Sequence, residues 1–208
     1  LIASGEEVSG TGSLTAQLVE AFLSRELKQK LLDRNEKQIL TREQLWNLCA
    51  DMAEEMWSQS TRELDKFTVK DIAEMALSDV NLGPSQKVIV TERMPSMAFL
   101  RRGDSEGSVA FEHEIFFDYF LARRFADRLG VKGVVTTMML GRSAMPESLS
   151  DEIARSIVDI DRQVFAQVEV LTSASTSVGL KQAQVRENCG RLFGSLSQHC
   201  KAVSSDGK

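Results

Sequence analysis

Glu112, His113 and Glu114, with Asp118 one helical turn further on, place an imidazole among three carboxylates in a chain that has two histidines. Such a set could hold a metal, move a proton or meet an incoming anion. Metal binding needs converging ligands, but HEIFFD is not the HExxH pattern, and the second imidazole, His199, falls in a distant helix. Nucleophilic catalysis finds no GxSxG elbow, and two histidines offer a triad few bases. No catalytic residue and no metal ligand are therefore assigned. The anion remains: an imidazole N–H and the unpaired N–H groups of a helix start both favour phosphate oxygen.

The elements around His113 look built to hold it still. A strand-like Ser108–Phe111 runs into a helix expected over Glu112–Leu129, with Glu112, His113 and Glu114 in its first turn. Six of the thirteen aromatic residues lie between Phe111 and Phe125, so this helix should be clamped from several sides. Ile115, Tyr119, Ala122, Ala126 and Leu129 share one face, and Phe116, Phe117, Phe120 and Phe125 widen it. Each large side chain fully buried contributes about 1.5–3 kcal/mol. Arg123, Arg124 and Arg128 read as a solvated face, or else as a contact with a neighbouring domain or subunit.

Upstream the periodicity is helical. Ser13–Arg34 places Leu14, Leu18, Phe22 (or Leu23), Leu27 and Leu31 on one stripe. Thr41 opens a capping box with Gln44, and the helix that follows runs to about Gln59. Thr68-x-x-Asp71 starts a third helix that ends before Gly83-Pro84, and Ser85–Arg93 is a short fourth stopped by Pro95. Then the period changes. Met97–Arg101 and Ser108–Phe111 are strand-like and joined by RGDSEG, a hairpin turn through Gly103, Asp104 and Gly107. Helices, a hairpin and a further helix give a mainly α fold, a winged-helix module over 14–130 with the hairpin as its wing.

Beyond Gly130 a helical arm is expected over 131–202, with candidates at Val131–Leu140, Pro146–Ile160, Asp161–Thr172 and Gln182–Cys200. Val185, Cys189, Leu192, Phe193 and Leu196 share the last helix's inner face. Residues 1–13 read as a flexible opening segment, where Gly5-x4-Gly10-Thr11 lacks the lysine of a phosphate loop, and 203–208 as a disordered tail. Cys49, Cys189 and Cys200 form no CxxC pair, which indicates neither a zinc site nor a disulfide framework and suits a reducing, cytoplasmic setting. No apolar run reaches the roughly 20 residues of a membrane span. The net charge of −5 argues against a dominant nucleic-acid surface. The start at Leu1 suggests a piece of a longer protein.

Phe111-x-His113-x3-Phe117-x-Tyr119-Phe120-x-Ala122, after the hairpin FLRRGDSEGSVA, resembles the end of the winged-helix domain of NACHT-type STAND ATPases. Asp118-Tyr119 stands at that family's acidic-aromatic pair and Ala122 at its small position, and the helices upstream resemble those of bacterial members. The resemblance covers about residues 14–129. It implies a regulatory segment, not itself an enzyme, that closes over ADP on a separate P-loop domain. ADP or ATP with Mg would belong to the parent protein, and none is expected in this chain alone. Only His113 matches the family's phosphate-contacting histidine. The implied partners are the chain's own ATPase domain, further copies of itself on activation, and a protein ligand; no membrane partner is implied.

Two other readings compete. One is a helical protein-interaction scaffold with no nucleotide role. The other is a winged-helix DNA-binding regulator, with base contacts expected on the third helix, where Lys70 faces Asp71, Glu74 and Asp79, a poor surface for phosphates.

Overall fold

A computed structural model describes residues 14–129, 134–160, 164–176 and 182–206; the opening segment expected over 1–13 lies outside them. The elements run α1 (Leu14–Gln29), α2 (Arg42–Ser58), β1 (Glu63–Asp65), α3 (Lys66–Ala76), α4 (Pro84–Arg93), a 3-10 turn (Met94–Ser96), β2 (Leu100–Arg102), β3 (Ser108–Phe111) and α5 (Glu114–Leu129). The arm follows as α6 (Val134–Leu140), α7 (Glu147–Ile160), α8 (Val164–Thr176) and α9 (Gln182–Asp206). The fold is mainly helical with one small antiparallel sheet.

That sheet has the order β1-β3-β2. Leu64 sits opposite Val109 in one ladder and Arg101 opposite Ala110 in the other. A strand ahead of two short helices and a closing hairpin is the winged-helix order. β1 was not expected, since Glu-Leu-Asp carries little intrinsic strand preference. Pairing with β3 makes it a strand, and Asp65 ends it by accepting the N–H groups of Phe67 and Thr68 as the N-cap of α3. The third helix accordingly begins at Lys66, ahead of Thr68. The wing depends on glycine: Gly107 has φ +76°, and a Cβ at Gly103 would strike the side chains of Ser108 and Glu63.

At α2 the capping box forms as expected: Gln44 N–H donates to Thr41 Oγ1 (3.2 Å) and Thr41 N–H to Gln44 Oε1 (2.8 Å). α1 is shorter than its periodicity suggests. Past Gln29 the Asp33 side chain accepts the N–H groups of Asn35 and Lys37 and turns the chain back, so that Ile39 N–H reaches Leu31 O. The buried face of α1 carries Val19, Leu23, Glu26 and Leu27, while Leu14 and Leu18 are exposed.

α5 is the shared wall. α1 and α2 pack on it from one side and α7 from the other, with α9 on α7 and α8 against α9. A single apolar cluster from Val19 to Leu196 spans both parts. α9 is helical as far as Asp206, inside the tail expected over 203–208, of which 207 and 208 lie outside the described residues. Among the described residues no helix is long and apolar enough to cross a membrane.

Candidate functional site

His113 is exposed and lies in the bend between β3 and α5, not in the helix's first turn. The reason is local. Glu112 N–H donates to Phe99 O (2.8 Å), extending the β2–β3 ladder by one bond and delaying the helix. His113 then supplies the carbonyl that accepts Phe116 N–H (3.0 Å), and α5 runs from Glu114. The imidazole rests against the Phe116 ring, centroids 5.8 Å apart.

Beneath it the mount is rigid. Phe116 is buried and meets Phe22 of α1 edge-on at 5.3 Å, with the Arg25 guanidinium over the other ring at 5.1 Å. Phe117 is buried under Arg62, whose guanidinium lies 4.0 Å from the ring centroid. Phe120 packs on Phe99, Phe111 and Trp46. Offset and edge-on ring pairs of this kind add to the area they bury and fix ring orientation.

The neighbouring acids separate. Glu112 is exposed, and Glu114 is turned to Arg62 at 3.6 Å. Asp118 points into the α5–α7 contact, where Ser148 Oγ donates to its Oδ2 (3.1 Å); its Oδ1 has no hydrogen-bond partner among the described residues. Burial pushes the Asp118 carboxyl above the ordinary range, although the Ser148 hydrogen bond pulls it down. Asp118 is thus held in the helix contact, within electrostatic range of Glu114 and Arg62, and no group of three potential metal ligands assembles among the described residues.

The arginine face is corrected. Arg124 is largely covered, its guanidinium paired with Asp51 and, at 3.4 Å, Glu54 of α2. Arg128 also reaches Glu54 at 3.4 Å. The acids that bury Arg124 lie 70 and 73 residues upstream, beyond any local reading of the helix.

The helix in the reading position of the winged helix is α4, because β1 makes α3 and α4 the helix pair. Sequence reasoning had assigned that role to α3. It also missed Asn188, which is fully buried and binds the loop between α6 and α7: its Nδ2 donates to Leu140 O (2.7 Å) and Ser143 O (2.8 Å), and its Oδ1 accepts Met145 N–H (2.9 Å). No family model, curated protein or solved structure matches the chain.

Proposed function

We propose that this chain is the regulatory winged-helix and helical part of a NACHT-type nucleotide-switch ATPase, closing over ADP bound to a separate P-loop domain. One observation carries the reading. An exposed imidazole stands immediately before a helix whose first turns are wedged into the core by Phe116, Phe117 and Phe120. A ligand carrying phosphate can approach the imidazole N–H and the start of α5 together. The reading assigns hydrolysis, ATP and Mg to the other domain, and to this chain the lid that holds the resting state. Release of the lid would then permit assembly with further copies.

The experiment is His113→Ala in the chain joined to its P-loop domain, with ADP binding measured by calorimetry. The expected result is ADP affinity weakened by about tenfold, equivalent to one charge-assisted hydrogen bond. Unchanged affinity overturns the proposal. A protein-interaction scaffold is the second reading, favoured by the apolar side chains exposed on α3 and α4. The DNA-regulator reading is disfavoured by the carboxylates on the same helices.

A further inference from the structure

No other carboxylate among the described residues is as completely enclosed as Glu26, which is 0% exposed on the inner face of α1. Enclosing a carboxylate is costly unless the fold supplies partners, and a leucine would fill the same space without that cost. The partners show what is gained. Glu26 Oε1 accepts the Ala98 N–H (3.1 Å) and lies 3.2 Å from Lys30 Nζ, which also donates to Ser96 O (3.3 Å). Oε2 is buried with no hydrogen-bond partner among the described residues. The side chain leaves one oxygen idle to bring the other to a backbone N–H 72 residues away.

That N–H is one residue from the bond that places the imidazole. Phe99 O accepts Glu112 N–H (2.8 Å), and this bond holds the chain extended up to His113. Met97 and Phe99, on either side of Ala98, are both buried, and Phe99 packs on Phe120. Residues 96–98 precede β2, and Glu26 with Lys30 fastens them from α1. The same helix reaches His113 by a second route, since Phe22, one turn before Glu26, meets Phe116, on which the imidazole rests. α1 therefore supports His113 twice, beneath the ring through Phe22 and behind the backbone through Glu26.

We infer that Glu26 is a positioning residue for His113: its Oε1 fixes Ala98, which sets Phe99 O, which delays α5 and leaves the imidazole in the bend. That His113 meets a ligand rests on the nucleotide reading; that Glu26 sets its place does not. An acceptor at position 26 is what the arrangement requires, because the Ala98 N–H is the group it holds.

The test is amide hydrogen exchange and imidazole NMR on the whole chain without nucleotide, so that its failure leaves the nucleotide reading to His113→Ala. Glu26→Leu keeps the space filled and removes the acceptor. Exchange at the Glu112 amide should quicken by about tenfold relative to the amides of α9, the loss of about one hydrogen bond. The His113 ring resonances should shift while those of His199 stay in place. Glu26→Gln retains Oε1 as acceptor and should keep both readings close to native, which a merely space-filling role would not distinguish from leucine. Should Glu26→Leu fail to fold, the half-buried Lys30→Met carries the test, with about threefold faster exchange at Glu112 expected. Native exchange at Glu112 and an unmoved His113 signal in whichever of these variants folds overturn the inference. A Glu26→Gln chain that behaves like Glu26→Leu also overturns it, since the carboxyl oxygen would then not be what holds Ala98.

Discussion

The bend at Glu112–His113 and the loop between α6 and α7 both carry the chain into a helix start, and they solve the problem in opposite ways. At the bend, backbone bonds to Phe99 O and from Phe116 N–H hold the chain, and the imidazole is left outside. In the α6–α7 loop a side chain from α9 reaches in, and Asn188 satisfies two carbonyls and an N–H at once. The first arrangement presents a polar group while needing nothing from it. The second consumes a polar group to fix the chain. A buried polar side chain with every bond made specifies a geometry; an exposed one on a packed base remains open to a ligand.

The strongest test of that contrast is Phe116→Ala, which removes the base beneath the imidazole and should cost about 4 kcal/mol in chemical denaturation. Asn188→Ala should follow at about 3 kcal/mol, since it strands Leu140 O, Ser143 O and Met145 N–H in a partly buried loop. A near-zero cost there would mean the loop is held by something else. Asp118 sharpens the comparison through pH. Its folded carboxyl titrates above its unfolded value, so its contribution to stability is full below the unfolded pKa and is lost as pH rises through the folded one. Stability of Asp118→Asn relative to the native chain should therefore rise as pH climbs above the ordinary carboxylate range, read from paired denaturation curves. The smallest effect belongs to His113→Ala, less than about 0.5 kcal/mol, as for an exposed side chain that the fold does not use. A loss as large as that of Asn188→Ala would make the imidazole a structural residue.

What could be read from the chain followed the range of the interactions. Thr41 with Gln44 and the glycines of the wing act within a few residues, and their elements lie where they were expected. β1 could not be found this way, because Glu63–Asp65 is extended only through partners at 108–110. Arg124 looked solvated because Asp51 and Glu54 belong to another helix. The exposure of His113 was legible as a possibility of the helix start, but its place in the bend depends on Phe99. Asn188 looked like any polar residue on α9, since the groups it satisfies are 43–48 residues away.

α5 is 16 residues long, about 24 Å, and it is gripped along that length by α1 and α2 on one flank and α7 on the other. A core packed at crystal density does not bend to absorb a local push. The same helix that begins beside the imidazole ends at the Arg128–Glu54 contact, so both of its ends are tied to one packed unit.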